Sequence, residues 1–336
     1  MFKISNGVRQ GAVSSPLLFS IYIDGLLVLL RNSGLGCKVD NFYYGVLGYA
    51  DDLLLLSASR TGLQAMVAIC EKFTKQRRLR FSTNANPMKS KTKCIVFSRV
   101  KNCQVNLAPI ILNGDPLPWV DRVKHLGNLL EQNNSMKLDC VSKRGKMIGK
   151  VNSLLQELHF TAPDVKMKLL NIYVTSFYGS SLWNIYSAEV NRIFTSWNVT
   201  VRNVFGLPWT THRYFIEGIS ECTHPKALIC GRFVRFLESV SQCNNTSVRF
   251  LSNLVWNDRR TLAGRTLTII AADCKVDRDS LSSKDATKLV YKEPTTENSW
   301  RLQLLKELMN TRNDSMDIPG FDDKEIDEMI NDICTT

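Results

Sequence analysis

Gly45-Val-Leu-Gly-Tyr-Ala-Asp-Asp-Leu-Leu-Leu-Leu56 sets two adjacent aspartates, Asp51 and Asp52, inside a run of apolar residues. The flanking segments 43–47 and 53–57 have the composition of short strands, which predicts a hairpin with the carboxylates at its tip. Carboxylates buried side by side lose water and repel each other, so this pattern favours a compensating cation. Mg²⁺ is such a cation, because it prefers oxygen ligands. The alternative is an ordinary Asp-Asp turn.

A capped helix is predicted before this hairpin. Ser14-Ser15-Pro16 is typical of a helix start, and the helix should run over residues 16–30. Its predicted apolar face contains Leu18, Ile21, Leu26, Leu29 and Leu30. Upstream, Gln10 offers side-chain donors beside Gly11, which lacks a Cβ and permits close approach of a base pair or phosphate. A purely structural turn and cap is the alternative.

Four short stretches stand out within residues 6–127. They are Gly7-Val-Arg-Gln-Gly-Ala-Val-Ser-Ser-Pro-Leu-Leu-Phe19, Tyr49-Ala-Asp-Asp52, Ser90-Lys-Thr-Lys-Cys-Ile-Val-Phe97 and His125-Leu-Gly127. In this order they resemble motifs B, C, D and E of the reverse transcriptases of non-LTR (LINE-type) retrotransposons. Tyr-Ala-Asp-Asp alone is a moderate signal, whereas four ordered motifs are a strong one.

The resemblance implies an α+β fold. It consists of a partial right-hand polymerase palm, with the YADD β-hairpin and packed helices, followed by a mostly α-helical thumb and C-terminal region. The expected divisions are residues 1–130 for the palm, 131–206 for the thumb-like region, 207–310 for a C-terminal helical region and 311–336 for an acidic tail.

The resemblance also implies RNA-directed DNA polymerase chemistry, in which two metal ions assist nucleotidyl transfer onto a primer 3′-hydroxyl. Asp51 and Asp52 would hold Mg²⁺ or Mn²⁺, and the partners would be an RNA template, a DNA primer and a dNTP. Lys91 would neutralise the triphosphate or protonate the pyrophosphate. Lys89 and Lys93 lie close enough in the sequence to make this assignment ambiguous. The substrate and template contacts implied in the palm are Gln10, Gly11, Ser14 and Tyr49.

The charge of the chain favours a polyanionic partner. Lysine and arginine number 43 against 31 acidic residues, a net charge of +12. Residues 310–336 hold eight acids and two bases, so residues 1–309 carry +18. Four bases, Lys143, Arg144, Lys146 and Lys150, begin a predicted helix over 137–158 that suits contact with a phosphate backbone. A solvated helix face is the alternative.

Further helices are predicted over 164–186, 191–205 and 224–242, and the acidic tail should be mobile or a weak helix over 322–333. Apolar stretches 17–30 and 169–188 are interpreted as buried helices rather than membrane spans, so no membrane partner is expected. Ten scattered cysteines indicate reduced thiols and an intracellular protein, either nuclear or in a cytoplasmic ribonucleoprotein. A zinc site at Cys222, His224, Cys230 and Cys243 is a weak alternative, because no CxxC pair is present.

One carboxylate that the resemblance requires is not found. In the family it lies in motif A, upstream of motif B, but residues 2–6 contain no acid. We therefore expect a truncated reading frame, without fingers and motif A, that needs its N-terminal half to polymerise. Whether the chain is itself an enzyme depends on this point. The alternatives are a non-catalytic nucleic-acid-binding relic or domesticated palm-thumb protein and, more remotely, a maturase-like splicing factor.

Overall fold

The structure, a computed structural model, describes residues 11–84, 86, 89–98, 107–288, 296–313 and 323–335. It divides into two compact units, one of residues 1–123 with 131–134 and the other of 124–130 with 135–336. The first unit mixes helices and short strands, and the second is almost entirely helical, which agrees with an α+β class. The finer palm and thumb boundaries stay predictions.

The first unit is built on two helices, α1 (Ser15–Asn32) and α2 (Arg60–Gln76). Ser59 caps α2 by accepting a hydrogen bond from the Gly62 N–H at 3.0 Å. Strand pairs surround these helices: β1 (Lys38–Val39) with β2 (Phe42–Tyr43), β3 (Val46–Tyr49) with β4 (Asp52–Leu55), and β5 (Ile110–Leu112) with β6 (Asp115–Leu117). Residues 92–98, which contain most of motif D, form no strand and make a single bridge from Cys94 to Trp119.

Helix α2 is amphipathic. Met66, Val67, Cys70 and Phe73 are all buried, and they divide between two apolar clusters of the first unit. The 3.6-residue period places them on one face, which covers the inner side of the β3–β4 hairpin.

Helix α1 corrects the predicted burial of residues 17–30. Leu26 and Leu30 are fully buried, but Leu18, Ile21 and Leu29 from the same predicted face are half-exposed or more. Within the described part of the chain, α1 alone is long and apolar enough to cross a membrane by length and composition. Ser14 precedes the helix as predicted, yet its side chain makes no capping hydrogen bond.

The strands β7 (Arg122–His125) and β8 (Asn128–Glu131) pair with each other. The turn between them has positive φ at Leu126 and Gly127, 45° and 77°. The motif E segment is thus a strand end followed by a glycine turn, as its residues predict.

The second unit contains helices around a core that includes Trp183, Trp197 and Ile193. They are α3 (Lys137–Glu157), α4 (Pro163–Val174), α5 (Ala188–Phe205), α6 (Arg213–Ser220), α7 (Pro225–Ser241), α8 (Thr246–Asn257), α9 (Leu262–Asp273), α10 (Ser283–Thr287), α11 (Thr296–Asn313) and α12 (Asp323–Thr335). The predicted helix over 164–186 is wrong beyond Val174, since Phe177 and Gly179 take positive φ and a 3₁₀ turn follows at Ser180–Leu182.

The acidic C-terminal segment forms a helix with a buried side. Ile326, Ile330 and Cys334 of α12 join a second apolar cluster with residues of α6 and α11, such as Phe215 and Leu305. Spacings of four residues align these three side chains on one face, which leaves Glu325, Asp327, Glu328 and Asp332 exposed on the others. The alternative of a final helix is therefore correct.

Candidate metal centre and predicted nucleic-acid contacts

The carboxylate pair lies at the tip of the β3–β4 hairpin. Tyr49 pairs with Asp52 across the strands, so Ala50 and Asp51 form a two-residue turn. Ala50 has a φ of 51°, a left-handed conformation that a residue with a Cβ rarely adopts. Strained turns of this kind concentrate at functional sites.

Cross-strand pairing gives the hairpin two distinct faces. The pairs Val46–Leu55 and Gly48–Leu53 lie on one side, and Leu53, Leu55 and Val46 pack against the α1–α2 cluster. The other side carries Leu47, Leu54, Tyr49 and Asp52, because successive strand residues alternate in direction. Tyr49 is 66% exposed on this outer side. Asp52 therefore shares a face with Tyr49, whereas Asp51 extends from the turn.

The base of the hairpin is fixed by two glycines. The Cys37 N–H donates to the Leu56 carbonyl at 2.9 Å, and the Leu56 N–H donates to the Gly45 carbonyl at 2.8 Å. A Cβ on Gly36, which has a φ of 98°, would lie 2.7 Å from the Cα of Gly45. The close approach of these backbones holds the hairpin at its root, while Ala50, Asp51 and Asp52 at its tip are exposed.

Asp51 and Asp52 are exposed, which corrects the expectation of a buried pair. Their carboxylates make no hydrogen bond or ion pair with the residues that the structure describes. The argument from desolvation therefore does not apply, and the metal-site interpretation rests on the donor chemistry. Two adjacent carboxylates supply hard oxygen ligands of the kind that Mg²⁺ and Mn²⁺ prefer. In the described ranges, no group of three or more His, Cys, Asp or Glu side chains is placed to hold a metal ion.

The predicted palm contacts are only partly described. Gln10 lies outside the described residues. Gly11 is exposed with a φ of 82°, and a Cβ built there would meet no atom within 4 Å, so the space for a close approach exists. Ser14 is exposed at the start of α1, and Tyr49 is exposed beside the carboxylates.

Lys91 is exposed in the segment that follows α2. Its neighbour Thr92 is fixed by donating from its hydroxyl and its N–H to the Ser82 carbonyl, at 2.9 and 3.3 Å. The buried Ser90 hydroxyl donates to the Thr92 carbonyl at 2.8 Å. No hydrogen bond or ion pair joins Lys91 to Asp51 or Asp52 in the described structure.

Lys143, predicted as a phosphate contact, is instead tied into the second unit. Its side chain is 14% exposed and lies 3.9 Å from the Asp139 carboxylate. Its Nζ donates to the Tyr178 carbonyl at 2.6 Å and to the Asn128 Oδ1 at 3.3 Å. Burial lowers the pKa of this ammonium, and Asp139 acts in the opposite direction.

Asp139 is a structural residue that the sequence analysis missed. Its buried carboxylate accepts the Trp183 Nε1–H at 2.9 Å and the Leu129 N–H at 3.1 Å, while Lys143 lies one helical turn away. The available signal was the spacing of four residues between an acid and a base on a predicted helix.

The other three predicted thumb bases differ in whether their side chains form hydrogen bonds within the protein. The Arg144 Nε donates to the Ser196 hydroxyl at 2.8 Å, and the exposed Lys150 Nζ donates to the Tyr173 carbonyl at 3.3 Å. The side chain of Lys146 is exposed and makes no contact of this kind with the described residues. Of the four, Lys146 is the base that the structure leaves available for a phosphate.

The geometry around His224 does not favour zinc. Its Nδ1 accepts the Lys226 N–H at 3.1 Å, so the proton lies on Nε2, which donates to the Asn198 Oδ1 at 3.2 Å. Both ring nitrogens are thus engaged by the protein. Burial, with the nearby charges of Arg213 and Lys226, lowers the pKa of His224 to about 3.

Comparisons with known proteins agree with the motif order. A sequence family described as "Reverse transcriptase (RNA-dependent DNA polymerase)" matches residues 1–128. The chain is 41% identical over 66 residues to the Retrovirus-related Pol polyprotein from type-2 retrotransposable element R2DM of Drosophila melanogaster, covering 20% of this chain and 6% of that protein. Its identity to the corresponding polyprotein of element R2 from Nasonia vitripennis is 43% over 68 residues, with the same shares of 20% and 6%.

A longer match extends beyond the first unit. The polyprotein of type-1 element R1 from Bradysia coprophila is 25% identical over 189 residues, which cover 54% of this chain and 17% of that protein. The chain thus spans a small part of the length of the curated relatives that it matches.

Proposed function

Because residues 1–128 belong to the reverse transcriptases of non-LTR retrotransposons, we propose that this chain forms the half of a nucleotidyl-transfer site that contains the Asp51–Asp52 metal centre. The observation that supports this proposal best is the β3–β4 tip, where two carboxylates extend from a strained turn with no partner among the described residues. A pair held in this way is accessible to a cation and to a primer end.

The residues at and near the tip of the β3–β4 hairpin would have different roles. Asp51 and Asp52 would hold Mg²⁺ or Mn²⁺, which supplies charge compensation for the attacking 3′-oxygen and the leaving pyrophosphate. Tyr49, exposed on the same face as Asp52, would pack against the sugar and base at the primer end. Lys91 would neutralise phosphate charge, with Lys89 and Lys93 close in sequence.

We further propose that this chain does not polymerise alone. Two carboxylates leave most of a six-coordinate magnesium shell to water, and the family's chemistry uses a third carboxylate from motif A. That group would be supplied by another segment or chain. The basic surface would still bind nucleic acid, so a non-catalytic nucleic-acid-binding protein remains the second candidate function.

Manganese binding tests the metal centre directly. We expect Mn²⁺ bound to the full chain, followed by its paramagnetic resonance signal, to be lost in the variant Asp51→Asn with Asp52→Asn. Asp40→Asn is the matched control, because Asp40 is also exposed at a hairpin turn and has a φ of 49°. Equal Mn²⁺ affinity in all three proteins would exclude a site at the β3–β4 tip.

Primer extension on an RNA template tests the proposal of incompleteness. With Mg²⁺ or Mn²⁺, we expect no synthesis from the purified chain. Robust extension that disappears in Asp51→Asn would show a complete site and contradict this part of the proposal. RNA binding that is unaffected by both Asn substitutions would agree with either candidate function, since neither carboxylate contributes positive charge.

A further inference from the structure

A dense basic segment follows the middle of α2 in the first unit. Residues 71–93 contain eight bases and one acid, Glu71, so these 23 of 336 residues carry +7 of the total charge of +12. The bases are Lys72, Lys75, Arg77, Arg78, Arg80, Lys89, Lys91 and Lys93. We call this group the α2 basic patch.

The backbone of the patch is held in place at two points. The Tyr22 hydroxyl donates to the Arg77 carbonyl at 2.8 Å, which fixes the end of α2 to α1. Thr92 donates to the Ser82 carbonyl, which brings the segment around Lys91 and Lys93 beside the segment around Arg80. The two charged stretches therefore lie together, although eight or more residues separate them in the sequence.

Arg77 and Arg78 present their charges in different ways. The Arg77 guanidinium lies 3.7 Å from the centroid of the Phe73 ring, so its plane is held by an aromatic face. Arg78 follows with a φ of 56°, a left-handed conformation that ends the helix and turns its side chain into solvent. Like charges crowded in this way raise the free energy of the folded state unless an anion compensates them.

Most of these charges have no hydrogen-bond or ion-pair partner among the residues that the structure describes. Lys75 pairs with Glu71 at 2.7 Å. The side chains of the exposed members make no ion pair or hydrogen bond with the described residues: Lys72, Arg78, Arg80, Lys89, Lys91 and Lys93. An internal salt-bridge network therefore does not explain the patch.

We propose that the α2 basic patch binds the phosphate backbone of a nucleic-acid strand. The exposed residues between the bases are polar, namely Ser82, Asn84 and Asn86, and such groups donate to phosphate and sugar oxygens. Leu79 and Phe81 alternate with Arg78 and Arg80 but are partly buried, and Phe81 packs against the apolar clusters of the first unit. A lipid surface would require exposed apolar side chains among the bases instead. The proposal is independent of the metal centre, because phosphate binding by arginine and lysine needs no divalent ion.

The test measures binding of the full chain to fluorescent single-stranded RNA in EDTA at several salt concentrations. In the variant Arg78→Glu with Arg80→Glu, we expect the negative slope of log K against log salt to become shallower by about 1.4, since each single-strand phosphate contact contributes about −0.7. Affinity at low salt should fall at least about tenfold. Arg259→Glu with Lys284→Glu is the control, because these exposed bases of the second unit change the net charge equally.

Several outcomes would overturn the proposal. One is an equal loss in both double variants, which would indicate net charge alone. Another is an unchanged slope in Arg78→Gln with Arg80→Gln, which removes the charges without reversing them and guards against misfolding. Binding to phosphatidylserine vesicles but not to RNA would assign the patch to a membrane. The same binding measurement with single-stranded DNA tests whether the affinity depends on the sugar. Loss of Mn²⁺ binding at Asp51 would leave these measurements unaffected, so the two proposals can fail separately.

Discussion

Ala50 occupies the first turn position of the β3–β4 hairpin with a φ of 51°. A left-handed conformation costs a residue with a Cβ about 1–2 kcal/mol, and glycine or asparagine would avoid most of this cost. The sequence predicted a hairpin tip here from its apolar flanks, but alanine itself gives no turn signal. The strain became evident only through the pairing of Tyr49 with Asp52, which leaves two residues to reverse the chain.

Lys143 and Lys146 show why residue type alone did not predict which bases the fold engages and which it leaves exposed. Both are bases on one helix, but Lys143 lies four residues after the buried Asp139 and Lys146 does not. Asp139 is itself held by Trp183, whose position depends on the turn after α4. This contact across 44 residues has no local pattern, so sequence analysis assigned both lysines the same role.

His224 makes the stability of the second unit depend on pH. Its pKa is about 3 in the folded chain, against an ordinary value near 6.5, because burial disfavours the charged ring. Between these values the unfolded chain binds the extra proton, so stability is complete above about pH 6.5 and is lost as the pH falls. The loss should reach about 1.4 kcal/mol per pH unit, up to about 3 kcal/mol at pH 4.5.

Urea unfolding from pH 7 to pH 4.5 measures this dependence, with His224→Asn as the comparison. Asparagine does not titrate and is a good helix cap, so the variant should be less stable at pH 7 but should lack this part of the pH slope. The same slope in both proteins would mean that other groups cause the acid sensitivity.

Among the elements, α1 and α2 differ in how well their sequences predicted them. The apolar residues of α2 form a narrow stripe along the helix, so the sequence itself indicates which face is buried. The apolar residues of α1 extend around most of its circumference, and such a pattern does not specify which side packs. The structure buries Leu26 and Leu30 and leaves Leu17, Ile21 and Val28 on the exposed side.

This exposed side of α1 predicts self-association. Adjacent apolar side chains on one helix form a patch that water disfavours. Among the described strands β3 and β4 pair only with each other, which leaves sheet edges with which a second copy of the chain can pair. We expect light scattering to show oligomers whose mass falls with dilution. Leu17→Glu with Ile21→Glu should shift the chain toward monomer without loss of helical content.

Substitution at a buried site of the same helix is the control for this effect. Leu26→Ala should reduce the stability of the first unit but leave the exposed side unchanged. A monodisperse monomer for the unsubstituted chain would contradict the prediction.

For the whole molecule, the sequence predicted the change from mixed to helical structure near residue 130 but not the path of the helices after it. Strand pairs and α2 depend on local periodicity and turn residues, such as Asn113-Gly114 between β5 and β6. The second unit is held together by contacts between residues that are far apart in the sequence. The predicted helix over 164–186 is interrupted by the positive φ of Phe177 and Gly179, and no proline marks this interruption in the sequence. The position of Asp51 and Asp52 at a hairpin tip was predictable because the hairpin is local, whereas their exposure was not.

Each unit has its own apolar core, and this leads to a prediction for the whole chain. The first unit buries Leu26 and Phe73, and the second buries Ile193 and Trp197, in separate clusters. Compact units with separate cores unfold as separate cooperative transitions unless a large apolar interface joins them. We therefore expect two transitions in calorimetry of the full chain.

Leu26→Ala should lower the midpoint temperature of only one transition, because it leaves a cavity in the first core. The free energy of unfolding of the first unit should fall by about 2–5 kcal/mol. Ile193→Val should lower the midpoint temperature of only the other transition, with a loss of about 0.5–1.5 kcal/mol in the free energy of unfolding of the second unit. A single transition that both substitutions shift would show instead that the two units fold as one cooperative structure.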